Sequence, residues 1–316
     1  MSRIHEALKR AELERAAGRT AQVNDRQAEY AFDRSAIETE PSTSSILHPD
    51  DLPQLHSART ETETVHDLIR FDELWAKCSQ ARWKPDPTSI VFENADSFYP
   101  GTEQFRTLRS RLYRMRETQT LQTILISSAI PAEGKTMVAA NLAYALVRQP
   151  GCRVLLIDAD LRSPRIHVLM GAPAAPGLAD YLQDTATEFE ITQRCSEEGL
   201  CLIPAGNHAT HPSELISSVR MKQFLERVRP AFDWIIIDSP PAIPVADASV
   251  LGGLVDGVLF VVRANSTPSE ASLKGCKELR EGHIIGVVLN TAEESAGYNS
   301  YYTNTVYTKP QNSAKK

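Results

Sequence analysis

The segment Ser127-Ser128-Ala129-Ile130-Pro131-Ala132-Glu133-Gly134-Lys135-Thr136 restricts this chain more than any other. The apolar run from Leu121 to Ile126 before it reads as a buried strand. The small-residue run from Met137 to Leu146 after it reads as a helix. A strand that passes through Gly-Lys-Thr into a helix has the layout of a phosphate-binding loop. A helix N-terminus leaves backbone N–H groups unpaired and carries partial positive charge, and a polyphosphate satisfies both. Lys135 adds a point charge at the phosphates, and Thr136 offers a hydroxyl to Mg²⁺. The expected ligand contacts are Ala129, Pro131, Ala132, Glu133, Gly134, Lys135, Thr136 and Met137. Ala129 stands where the general pattern has glycine, which holds the loop entry to ordinary backbone angles.

From Leu121 onward strand and helix patterns alternate. Strands are expected at 121–127, 153–158, 200–204, 234–238, 257–262 and 284–289, and helices at 135–149, 176–184, 213–229, 246–253 and 269–281. That alternation predicts an α/β P-loop NTPase fold, a mostly parallel sheet with helices on both faces. Two strands end in acids. Val154-Leu155-Leu156-Ile157 runs into Asp158-Ala159-Asp160-Leu161-Arg162, and Trp234-Ile235-Ile236-Ile237 runs into Asp238-Ser239-Pro240-Pro241. Ligands of open parallel sheets bind outside the carboxyl ends of the strands, so both acid groups emerge beside the loop. Asp158 is placed to orient Mg²⁺ or to take a proton from an attacking hydroxyl, and Asp238 to hold metal-bound water. The expected catalytic set is Lys135, Asp158, Asp160 and Asp238, with Thr136, Asp158 and Asp238 as metal ligands.

The flanks read differently. Residues 1–17 carry a short amphipathic helical pattern with Ile4, Leu8 and Ala11 on one face. Residues 18–90 lose periodicity and are rich in polar residues and proline, which predicts a flexible and largely disordered linker, with one short helix within 64–78. Trp83 and Phe92 are placed to dock on the domain expected over 91–292. Residues 103–115 form a second amphipathic helix, with Phe105, Leu108, Leu112 and Met115 on one side and four arginines around it. Residues 293–316 form a tail with Tyr298, Tyr301, Tyr302 and Tyr307 among Gly, Asn, Ser and Thr; such a segment cannot bury its rings in an element of its own and is expected to be mobile. A formal net charge of −6 argues against a general nucleic-acid binder. The start of the chain carries no signal-peptide pattern, no apolar run reaches membrane-spanning length, and the scattered cysteines fit a reducing cytoplasm.

Taken together, the loop, the IDADLR segment, the IIIDSPP segment and the helix beginning EQFRTLRSRL resemble the Walker A, A′ and B motifs and the preceding helix of the cytoplasmic bacterial tyrosine kinases of capsule and exopolysaccharide synthesis. The resemblance covers roughly residues 98–308. It implies an ATP- and Mg²⁺-dependent autokinase that phosphorylates Tyr298, Tyr301, Tyr302 and Tyr307 in trans. It implies a ring in which Glu103, Arg106 and Arg109 meet a neighbouring subunit. It also implies recruitment to the inner face of the plasma membrane by a polysaccharide co-polymerase (Wzz-like) that activates it, and a cognate tyrosine phosphatase. Two other functions stay open on the residues alone: a partitioning ATPase of the Par/Min type, and a non-catalytic nucleotide-binding regulator of polysaccharide export. The first usually has an additional lysine early in the loop, where this chain has Ser127-Ser128-Ala129-Ile130.

Overall fold

The computed structural model describes residues 68–93, 100–194, 199–279 and 282–292. The N-terminal helix expected over 1–17 and all four tail tyrosines lie outside the described residues. The strands are β1 (Ser79–Gln80), β2 (Thr123–Ser128), β3 (Val154–Asp158), β4 (Gln193–Arg194), β5 (Leu200–Ile203), β6 (Trp234–Asp238), β7 (Gly257–Arg263) and β8 (Ile284–Asn290). The helices are α1 (Phe71–Lys77), α2 (Pro100–Arg116), α3 (Lys135–Val147), α4 (Ile166–Met170), α5 (Leu178–Leu182), α6 (Glu188–Ile191), α7 (Pro212–Ile216), α8 (Val219–Val228), α9 (Asp247–Gly252) and α10 (Ser269–Glu278).

One sheet joins all the strands in the order β1-β4-β5-β3-β6-β2-β7-β8, parallel throughout except where β4 meets β5. Every residue of β2, β3, β5 and β6 is buried, as expected of apolar strands covered on both faces. The period of two sorts their side chains. Ile235 and Ile237 of β6 enter one core with Leu155, Ile157 and Phe260, while Trp234 and Ile236 enter the other with Val154, Leu156 and α3. Four alanines in α3 let that helix lie close over the sheet, and it is buried from Val138 to Val147.

Outside the site, sequence and structure part company most plainly in the linker and in the helix expected over 213–229. The linker expected to run to residue 90 is packed onto the domain from residue 68. Ile69, Leu74 and Ile90 are buried, Phe71 stacks on Trp75 at 5.4 Å, and Phe92 stacks on Tyr144 at 6.5 Å. Buried Asn141 of α3 fastens this strap: its Oδ1 accepts from the Val91 N–H at 2.8 Å and its Nδ2 donates to the Ser89 carbonyl at 2.8 Å. Polar composition hid the few apolar anchors that decide the matter. The helix expected over 213–229 is two helices, α7 and α8. Ser218 caps the second by accepting from the Met221 N–H at 3.3 Å, a local signal that serine carries at helix starts.

The insertion of β6 between β3 and β2 positions the site. Asp158 and Asp238 become direct neighbours in the ladder, and Ile126 of β2 stands opposite Asp238.

Candidate active site

The loop between β2 and α3 is held open from below. Ala132 and Gly134 take left-handed backbone angles (φ 66° and 91°), and a Cβ on Gly134 would lie 2.0 Å from Asn290 Nδ2, so only glycine fits there. Asn290, at the end of β8, donates from Nδ2 to the Glu133 carbonyl at 2.9 Å. The Glu133 carboxylate is buried beneath the loop, accepting from the Ile130 N–H at 2.8 Å and the Thr267 hydroxyl at 2.6 Å. Its side chain therefore anchors the loop. Ala129 stands at the entry of the loop. It is fully buried, its carbonyl accepts from the Ile243 N–H, and α10 lies so close that a Cβ on Gly275 would come within 2.9 Å of it. Pro131 and Ala132 are exposed, and Gly134, Lys135, Thr136 and Met137 are partly so.

Glu133→Ala is expected to destabilise the protein by about 1–3 kcal/mol, since it leaves the Ile130 N–H without its acceptor under the loop. Glu133→Gln, which keeps one acceptor oxygen, should cost less. Thermal or denaturant melts of both variants check this, and equal melting curves for Glu133→Ala and the wild type would remove the anchor role.

The acids gather at the open end of the sheet. Lys135 Nζ lies 3.2 Å from Asp160 Oδ2, and Asp160 Oδ1 accepts from the Ser163 N–H at 3.0 Å. Asp158 Oδ2 accepts from the N–H groups of Arg165 and Ile166 at 3.1 and 3.0 Å, and Oδ1 from that of Asp160 at 3.2 Å. Complete burial pushes its carboxyl up to about 7, with the Asp160 charge adding to the rise and the N–H groups opposing it. Asp238 is as deeply buried, and both its carboxylate oxygens lack a hydrogen-bond partner among the described residues. Burial raises it well above the ordinary carboxylate range, against the pull of the Lys135 charge and the neighbouring Thr136 hydroxyl. The Ser239-Pro240-Pro241 turn closes back on β2: the Ser239 N–H donates to the Ile126 carbonyl and the Ala242 N–H to that of Ser128. Arg162 is held by buried Asp247, Nε to Oδ2 at 2.8 Å, and by the Ser213 hydroxyl at 2.7 Å.

A buried carboxylate without a partner is costly unless something else pairs with it. A divalent cation fits: Asp238 supplies the charge and Thr136 the hydroxyl beside it. Among the described residues no cluster of three His, Cys, Asp or Glu side chains could hold a metal. A cation here would complete its shell from phosphate oxygens and water, as Mg²⁺ commonly does. The lysine, the helix N-terminus and three acids together make a place for a polyphosphate with its counter-ion. Asn290, Thr267 and the N–H groups of Arg165 and Ile166 complete the site and carry no local motif that marks them.

The third expected group divides. Glu103 and Arg106 on α2 are exposed and form an ion pair with each other. Arg109 instead turns onto its own domain, where Nη1 donates to the Ala145 carbonyl near the end of α3 at 2.7 Å. Among the described residues no helix is long and apolar enough to cross a membrane.

Residues 121–281 match the family described as AAA domain. The chain is 34% identical over 191 residues to the tyrosine-protein kinase YwqD of Bacillus subtilis, covering 60% of this chain and 80% of YwqD. It is 36% identical over 245 residues to the succinoglycan biosynthesis transport protein ExoP of Rhizobium meliloti, covering 75% of this chain but only 29% of ExoP. The solved kinase domain of the Escherichia coli tyrosine kinase ETK superposes with a TM-score of 0.62 at 31% identity, over 73% of this chain and 91% of that one.

Proposed function

This chain belongs to the bacterial tyrosine-kinase family, and from that premise we propose that it is an ATP-dependent protein-tyrosine autokinase acting in exopolysaccharide or capsule synthesis and export. The observation that carries this reading is the unpartnered Asp238 carboxylate, set in register with Asp158 beside the Lys135–Asp160 pair. In the proposed reaction Lys135 leaves Asp160 to meet the β- and γ-phosphates, and the N-terminal N–H groups of α3 bind the same anion. Mg²⁺, held by Thr136 and through Asp238, would neutralise charge on the phosphates. Asp158, with a pKa near 7, accepts the proton of a tyrosine hydroxyl as that oxygen bonds to the γ-phosphorus and the bond to ADP breaks.

The tyrosines proposed as acceptors are Tyr298, Tyr301, Tyr302 and Tyr307 of a neighbouring copy. A membrane co-polymerase is the proposed activator and recruits the chain to the inner face of the membrane, and a tyrosine phosphatase reverses the reaction. Incubation of the purified chain with MgATP, followed by phosphotyrosine mapping by mass spectrometry, tests this. Phosphate on the tail tyrosines is expected. ATP turnover with no phosphotyrosine would instead favour an ATPase.

The ring contact is proposed to use Glu103 and Arg106, with Arg109 supporting α2 from its own side. Replacing Glu103, Arg106 and Arg109 with alanine should lower the mass seen by light scattering and reduce phosphotyrosine. Arg109→Ala also removes the donor to Ala145, so the double variant Glu103→Ala/Arg106→Ala carries the test. An unchanged mass distribution for it would leave these residues an exposed ion pair, worth little on its own.

A further inference from the structure

Three segments that leave the carboxyl ends of neighbouring strands are clasped together beside the site. Arg162 lies in the loop after β3, Ser213 lies in α7 after β5, and Asp247 opens α9 after β6. The sheet sets those strands side by side in the order β5-β3-β6. The Asp247 carboxylate is the centre of the clasp. Its Oδ2 accepts from Arg162 Nε at 2.8 Å, and its Oδ1 accepts from the Ser213 hydroxyl. That hydroxyl in turn accepts from Arg162 Nη2 at 2.7 Å. The two ends of the ion pair differ in burial: the Arg162 side chain is 39% exposed and that of Asp247 is 2% exposed. The arginine has water to satisfy it, whereas the buried carboxylate is costly to keep. Replacing a buried ion pair by well-packed apolar groups is often neutral or stabilising. Stability alone therefore gives little reason for a carboxylate at position 247.

The clasp fixes the loop that carries two of the acids. Arg162 sits within residues 158–166, where the N–H groups of Asp160, Arg165 and Ile166 hold the Asp158 carboxylate and that of Ser163 holds Asp160. On the other side, the segment leading to Asp247 is stitched to the phosphate loop. The N–H groups of Ala242 and Ile243 donate to the carbonyls of Ser128 and Ala129. Residues 239–247 thus join the phosphate loop to the acid loop, and the Arg162–Asp247 pair is the last link. We propose that Asp247 is a positioning residue for phosphate transfer, acting through Arg162 to hold the loop of Asp158 and Asp160 in place against the phosphate loop. This rests on the reading of the site as a phosphate-transfer centre and extends it to Arg162, Ser213 and Asp247. The planar guanidinium reaches Asp247 and Ser213 at once, which the point charge of a lysine cannot reproduce. The nucleotide is held from the α3 side. Loosening the clasp should therefore slow transfer and leave nucleotide affinity nearly unchanged.

Asp247→Asn, Arg162→Lys and the double variant, each in the full chain and well below its melting temperature, test this against the wild type. Two quantities are read: the rate at which the γ-phosphate of saturating MgATP passes to tyrosine or to water, and the affinity for MgADP by calorimetry. Each single variant should transfer phosphate more slowly by on the order of 10²-fold, the loss that a misplacement of about 1 Å produces. MgADP affinity should stay within about threefold of the wild type, the split expected when only transition-state interactions are lost. The double variant should be no slower than the slower single one, because the two residues act as a unit. Arg162→Lys, at a half-exposed position, carries the test if Asp247→Asn does not fold. The proposal is overturned if Arg162→Lys keeps the wild-type rate, which would leave charge alone as the role of Arg162. It is also overturned if folded Asp247→Asn transfers as the wild type does, or if affinity falls in step with rate. A wild type that releases phosphate to water and forms no phosphotyrosine ends the kinase reading alone, and the release rate then decides the positioning role. A wild type that turns over no ATP ends both.

Discussion

Lys135→Met is expected to yield a folded protein whose phosphate transfer is slower by on the order of 10²–10³-fold, the loss typical of removing one preorganised charge from a reacting centre. The long apolar stem is retained, so α3 keeps its first turn. What disappears is a charge that does two jobs. It sits 3.2 Å from Asp160, and it opposes the burial that raises Asp238. Without it bound phosphates would lose a cation, and the Asp238 carboxylate would become harder to ionise. Asp160 keeps the Ser163 N–H, so the stability cost should stay near about 1–3 kcal/mol. Phosphotyrosine mapping and a thermal melt on the same sample check both halves. A variant that melts like the wild type and transfers phosphate at the wild-type rate would end the assignment of the loop.

Asp238→Asn should have the opposite effect on the fold and a similar one on the chemistry. In the wild type, burial keeps Asp238 protonated well above the value near 3.8 at which the unfolded chain releases the proton. Between those two values the folded state binds a proton that the unfolded state does not. Stability therefore falls as pH rises, by about 1.4 kcal/mol per pH unit for one such group. Asparagine binds no proton and removes that slope. The substitution gives up the carboxylate's interactions with Lys135 and the Thr136 hydroxyl, which do not offset its burial in the wild type. The variant should melt close to the wild type at about pH 4 and above it at higher pH, the gap opening as pH rises through the range in which folded Asp238 alone holds its proton. Asp158, raised to about 7, contributes a slope of the same sign that persists in the variant and ends near neutrality. Transfer should drop by on the order of 10²–10³-fold. A gain in stability bought with activity marks a residue kept for function. A lower melting temperature at high pH would show instead that the Asp238 charge is satisfied in the fold.

The six strands expected from sequence appear within a residue or two of their places, and the one over Trp234–Asp238 has both its ends as expected. Apolar runs buried on both faces are local facts, and the backbone has few other uses for them. The loop was equally legible, since Gly134 alone can hold its angle against Asn290. The two acid-ended strands announced a site, but sequence order could not make Asp158 and Asp238 neighbours. That required β6 to enter between β3 and β2, a choice set by how the whole sheet packs.

The same limit hid the rest. Thr267 and Asn290 reach Glu133 across 134 and 157 residues of sequence, and Asn141 holds Ser89 and Val91 across 52 and 50. Arg109 lies about 120° round the helix from Glu103 and one turn beyond the buried Phe105, and it turns to Ala145 because α2 lies against the end of α3. Periodicity, caps and loop angles are decided by neighbours along the chain, so this sequence determined its elements and its phosphate loop. Which carboxylate stands buried without a partner, and which glutamate serves only as an anchor, is decided by groups far along the chain that meet only once the sheet has formed. Those assignments belonged to the tertiary structure.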